Sequence, residues 1–169
     1  MDRLVSNATP LIYLAKVNQL KLFKMLLKEA FTPESVHREV VIYGKSLGEK
    51  DAFLVEKAIN DGWIAVKNVN HLFEVDIGLH TGEVEVISLA KELGIETVLM
   101  DDAKARIAAE VAGQTPRGTL WLLLEAVKNK IMNFDQFLIA LEMMTRAGFF
   151  LKEEVYLRAV REAKKLSEI

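Results

Sequence analysis

The sequence predicts an α/β protein: a three-layer α/β/α sandwich built around a short-stranded, mainly parallel central sheet. Three observations predict it. Short apolar strand candidates alternate with longer amphipathic helices along the chain, the pattern of parallel strands joined by right-handed crossovers. The clearest strand, "TVLM" at 97–100, is apolar without alternation, as a strand covered on both faces has to be. Finally, 169 residues of 51% hydrophobic content suit one compact domain with a substantial core, and no linker, repeat or low-complexity tract divides them.

In chain order, Leu4-Val5-Ser6 reads as a strand, and Thr9-Pro10 as an N-cap followed by proline at the first helical position. A second helix is expected from about Leu20 to Lys28. After a brief apolar step at Ala30-Phe31, Thr32-Pro33 repeats the start signal, and Val36, Glu39 and Val40 share a helical neighbourhood. Gly44 to Gly48 should break that helix. Glu49 to Asp61 is helical, Gly62 stops it, and Ile64-Ala65-Val66 has strand character before an irregular stretch, Asn68 to His80. Thr81 is expected to cap a helix that ends at Gly94. After "TVLM" come a helix over 103–112, a short Gln114-Thr115 segment and a helix over 119–129. Two amphipathic helices over 134–147 and 152–167 should pack on the rest, so residues 1–169 form one domain.

Composition narrows the function. A net charge of -2 rules out coating of a phosphate backbone by bulk charge, so any nucleic-acid contact is local. With no cysteine, thiol nucleophiles and Cys-based zinc sites are excluded. The first residues lack the apolar core of a signal peptide, and charges interrupt every apolar run before membrane-spanning length, so the chain reads as cytoplasmic with no membrane partner.

Ligands of parallel sheets bind at the carboxyl ends of strands. There the chain places Asn7 after its first strand and the doublet Asp101-Asp102 after "TVLM". Glu39 in "PESVHREV" and Glu83 in "TGEVEVISLAKE" can reach the same edge. Several carboxylates brought together repel one another, and a Mg²⁺ or Mn²⁺ ion, which favours oxygen ligands, resolves that repulsion. Plain structural roles compete. Glu39 and Glu85 suit a solvated helix face, Glu83 suits the positive end of a helix, and Asp102 suits an N-cap. His37, His71 and His80 have spacings that fit no helical metal pair, so surface or packing roles are expected. Trp63 and Trp121 are expected to pack.

The ordered segments "VSNATPLIYLAKV", "PESVHREV", "TGEVEVISLAKELG", "VLMDDAKARIAAE" and "RGTLWLLLEAVKNK" together resemble PIN-domain proteins, the fold of many VapC-type toxin ribonucleases. They are most similar to a prokaryotic PIN-like subfamily of unknown function, and the resemblance covers nearly the whole chain. It implies a metal-dependent ribonuclease that cleaves single-stranded RNA with Mg²⁺ or Mn²⁺. Asn7, Glu39, Glu83 and Asp101 would be the catalytic set. Asn7, Glu83, Asp101 and Asp102 would hold metal, with Asp102 equally suited to capping the next helix. Thr9, Lys104, Arg106, Arg117 and Thr119 would meet the substrate, although a helix-cap role explains Thr9 as well.

One position departs from the pattern. Where the family's first Asp belongs, this chain has Asn7, which keeps a carbonyl oxygen but loses the negative charge, so metal affinity and water activation should fall. A second reading is therefore a degenerate PIN domain that binds RNA or protein without cutting. A response-regulator-like receiver is disfavoured, because it needs its acid pair after the first strand. The resemblance also implies a homodimer and pairing with a small antitoxin.

Overall fold

The computed structural model describes residues 3–74 and 78–169. Five short strands form its centre: β1 Arg3–Ser6, β2 Glu29–Pro33, β3 Ala65–Lys67, β4 Thr97–Leu99 and β5 Thr115–Arg117. They make one sheet in the order β3-β2-β1-β4-β5, and every pairing is parallel. The sheet is covered on both faces, which is why β1 and "TVLM" read as unbroken apolar runs: Leu4, Val5, Val98, Leu99 and Met100 are all fully buried. Each such side chain contributes roughly 1.5–3 kcal/mol by leaving water.

The helices follow the strand order. From β1 the chain runs through α1 Ala8–Lys16 and α2 Lys21–Leu26 to β2. It then passes through α3 Glu34–His37, a π-helical turn Arg38–Tyr43, α4 Gly44–Ser46 and α5 Lys50–Asn60 to β3. Next α6 Thr81–Glu92 carries it back across the sheet to β4, and α7 Ala103–Val111 leads on to β5. α8 Thr119–Lys128, α9 Phe134–Arg146 and α10 Glu153–Glu168 close the chain. α6 lies against β1, β2 and β4 and touches α7, whereas α1 packs on α5 and α8, and α10 on α8 and α9. The direction of travel therefore reverses between β1 and β4, and the general rule for such sheets expects a ligand crevice at the carboxyl ends of those two strands. No described helix is long and apolar enough to cross a membrane.

Several local expectations shift. The apolar step at Ala30-Phe31 is a full strand, because Phe31 pairs with both Val5 and Ala65. The segment at Gln114-Thr115 opens β5, whose Pro116 is tolerated because β5 is an edge strand. The cap of α1 is Asn7, not Thr9, and Pro10 stands at the third helical position, where the missing N–H has no intrahelical acceptor anyway. Likewise His80, not Thr81, precedes α6. Gly44 does not break its helix. A Cβ there would lie 2.9 Å from the Ala52 Cβ, so this glycine lets α5 approach, and the stop is Gly48 at φ 77°. Of the irregular stretch 68–80, residues 75–77 lie outside the described residues.

Candidate active site

The central strands deliver two polar side chains to the crevice. The Asn7 amide donates to the Leu99 carbonyl at 2.9 Å, and the Met100 amide to the Arg117 carbonyl at 2.7 Å, so Asn7 and Asp101 follow directly on paired strand ends. Asn7 is only 7% exposed, yet its side chain does not turn back to cap α1. Its Oδ1 looks instead toward Gly82 in the first turn of α6. A methyl group on Gly82 would lie 3.7 Å from Asn7 Oδ1, 3.7 Å from Glu39 Oε2 and 3.3 Å from a Val36 methyl. The missing side chain of Gly82 thus leaves a gap that two oxygens border. Sequence reading passed over Gly82, although a glycine in the first turn of an otherwise good helix is a visible signal.

Glu83, the next residue, is 8% exposed, and its Oε2 accepts the His80 amide at 3.0 Å. That bond fixes the start of α6. Glu39 is exposed on the π-helical turn. Glu85 accepts the Ser35 amide at 3.3 Å and so ties α6 to α3, as a structural acid would.

Asp101 is the most tightly built of the acids. Thr119, fully buried, donates its amide to Oδ1 at 2.8 Å and its hydroxyl to Oδ2 at 2.6 Å. Gly118 makes this approach feasible, since a Cβ there would stand 2.9 Å from Asp101 Oδ1 and 3.1 Å from Arg106 Nη1. Burial pushes the Asp101 carboxyl above its ordinary value, against the opposing pull of the two Thr119 donors and the nearby Arg106 charge.

The remaining predicted residues divide. Arg106 joins Asp101. Asp102 is exposed and caps α7, its Oδ1 accepting the Ala105 amide at 2.9 Å, and Lys104 projects from the same exposed first turn. Thr9 lies half-buried in the first turn of α1. Thr119 contacts Asp101, and the Arg117 guanidinium lies 5.5 Å from the centre of the Trp121 ring. His71 is exposed near Glu92, and His37 lies 3.9 Å from Glu34.

A family model described as a PIN domain matches residues 3–165. The chain belongs to the PIN-domain family. Comparison with curated proteins and with solved structures gives no significant match. PIN-domain membership carries nuclease-type activity in general, and PIN domains generally use divalent metal ions.

Whether this PIN domain suits such an ion is a question of its donors. Among the described residues, no three Asp, Glu, His or Cys side chains form a group able to hold a metal. The donors at the crevice are nevertheless all oxygens, the kind Mg²⁺ and Mn²⁺ prefer, and the buried Asn7 amide oxygen is not occupied by helix capping. Asn7 Oδ1 and Glu39 Oε2, which border one gap, suit a hard cation in type, and the structure does not gather Glu39, Glu83 and Asp101 into one group. With Asn7 the donors are one negative charge short of a set that has Asp at the first position.

Proposed function

We propose that this PIN domain is a Mg²⁺- or Mn²⁺-dependent endoribonuclease of single-stranded RNA that works with a neutral first ligand. The observation that supports it best is the pair of oxygens, Asn7 Oδ1 and Glu39 Oε2, bordering the gap at Gly82. When bound, the cation supplies charge neutralisation at the phosphate and a water that ionises near neutral pH. Asn7, Glu83 and Asp101 would hold it, with Thr119 keeping the Asp101 oxygens fixed. Glu39, exposed on its turn, would accept the proton of the attacking water at its carboxylate. Arg106 and Lys104 receive the phosphodiester, Arg106 through its planar fork.

Calorimetric titration of Mn²⁺ into the wild type, Asn7→Asp and Asp101→Ala, with a fluorogenic single-stranded RNA assay on the same samples, tests this. Binding and cleavage by the wild type, both lost in Asp101→Ala and both strengthened in Asn7→Asp, are expected. Absence of metal binding and cleavage in the wild type would refute it.

A second reading has its own support in the neutral Asn7 and in the lack of a three-ligand group among the described residues. In that reading the domain binds RNA or protein without cutting, and Asn7→Asp creates an activity that the wild type lacks. We also propose a cytoplasmic homodimer that pairs with a small antitoxin. The exposed Ile42 and Tyr43 on the π-helical turn, Leu47 just after α4 and Phe53 on α5 offer the apolar surface for such contacts. A monomer by light scattering at tens of micromolar, the order of typical weak interfaces, would exclude the dimer.

A further inference from the structure

Beside α8 a hollow of about 280 Å³ opens along β1, β4 and β5, reaching from Arg3, Thr97 and Thr115 at the amino ends of those strands to Arg117, the last residue of β5. Leu4 and Leu27 give it an apolar wall, and Arg3, Glu96, Arg117 and Trp121 supply its functional groups. Trp121 is only partly buried, and the Arg117 guanidinium lies 5.5 Å from its ring centre. Arg3 is steadied by a hydrogen bond from Nη2 to the Leu93 carbonyl at 3.0 Å. Neither arginine forms an ion pair among the described residues. Glu96 accepts the Thr115 hydroxyl at 2.9 Å and pairs with neither of them.

Two guanidinium groups without an ion pair among the described residues, set around one hollow, favour an anion, and their fork geometry matches a phosphate. The Arg117–Trp121 pair offers a flat, polarisable surface on which a base can stack. The Glu96 carboxylate can accept an N–H from that base. The volume, at the small end of ligand sites, suits one nucleotide and not an extended cofactor.

We propose that this hollow binds one ribonucleotide unit, its phosphate on Arg3 and Arg117 and its base against Trp121. Single-stranded RNA would then be gripped at a second point, whose lining includes neither Asn7 nor Asp101. The ligand class rests on the ribonuclease reading, but the site requires neither a metal nor cleavage.

The test is ¹⁹F NMR of full-length protein carrying 5-fluorotryptophan, with EDTA present so that nothing is cut. The two tryptophans give two signals, and the Trp121 signal is followed during titration with inorganic phosphate, GMP and a six-nucleotide single-stranded RNA. The expected result is a saturable shift of the Trp121 signal with GMP or RNA. Arg117→Gln should weaken that response about ten-fold or more, the effect of losing one charge-assisted contact, while Arg158→Gln, an equal loss of charge on the exposed face of α10, leaves it unchanged. A response to RNA alone identifies the strand as the source of the nucleotide, and a tighter response to GMP identifies the free nucleotide. The proposal is overturned by no saturable shift with either, by phosphate alone binding as tightly as GMP and RNA, or by an undiminished response in Arg117→Gln. A preserved shift in a protein that never cleaves RNA would remove the nuclease reading and leave this site standing.

Discussion

Replacing Thr119 with valine removes one O–H and keeps the side chain's shape, and the cost follows from where that O–H points. It donates to Asp101 Oδ2 across 2.6 Å, beside the Thr119 amide on Oδ1 at 2.8 Å. Thr119 is fully buried, so the valine in its place offers Asp101 no substitute donor. A hydrogen bond to an ionised acceptor contributes about 1.5–3 kcal/mol, and a valine of the same shape opens no cavity to add to that. For a chain of this length each kcal/mol moves Tm by about 2–4 °C, so a drop of about 3–12 °C is expected.

The loss carries a pH signature. Burial raises the Asp101 carboxyl, so its net contribution favours the fold below the ordinary carboxylate range and fades as pH rises through the raised value. Thr119 acts in the opposite sense, because its donors favour the ionised form. Their contribution is present at neutral pH and shrinks as Asp101 takes up its proton. Urea unfolding of wild type and Thr119→Val, in EDTA, near neutral pH and again near pH ~4, measures both. A loss below about 0.5 kcal/mol at neutral pH, where surface substitutions usually fall, or an equal loss at both pH values, would refute this account.

Gly118→Ala should destabilise by about 1–3 kcal/mol and weaken Mn²⁺ binding, because its Cβ would stand 2.9 Å from Asp101 Oδ1; thermal unfolding and calorimetry read the two effects. Asp102→Ala should lower stability by about 0.5–2 kcal/mol through the lost cap of α7, with Asp102→Asn restoring most of it on chemical denaturation. Gly44→Ala should destabilise although alanine is the better helix former, since its Cβ would meet the Ala52 Cβ at 2.9 Å, and a rise in Tm would contradict that packing.

The parts of this fold legible in the sequence are those whose signal is local and repeated. "TVLM" announces a strand covered on both faces, and Gly62 and Gly94 mark helix stops, both with positive φ. β5 was not legible as a strand, because its three residues include a proline and only its pairing with β4 makes it one. The cap of α1 was misplaced by two residues because Thr-Pro is a general start signal, whereas the chain turns helical as soon as Asn7 leaves the sheet. At the crevice, strand-end position pointed to Asn7 and Asp101. The bonds from Thr119 to Asp101 span 18 residues, and no periodicity reports a contact at that distance. The same holds for the gap at Gly82, which exists only because α3 and α6 meet there.

The π-helical turn Arg38–Tyr43 separates two demands on one rod of chain. Before it, Val36 packs against Gly82 on α6; after it, Gly44 is pressed against Ala52 on α5. A regular α-helix advances about 100° per residue, so the widened turn works as a phase adjuster that lets each end keep its own bearing. Removing one residue from this turn would return the rod to even pitch at the expense of one of the two contacts. It would also swing Glu39, which rides on the turn, relative to the gap it now borders. This stretch should therefore tolerate changes of side chain far better than changes of length.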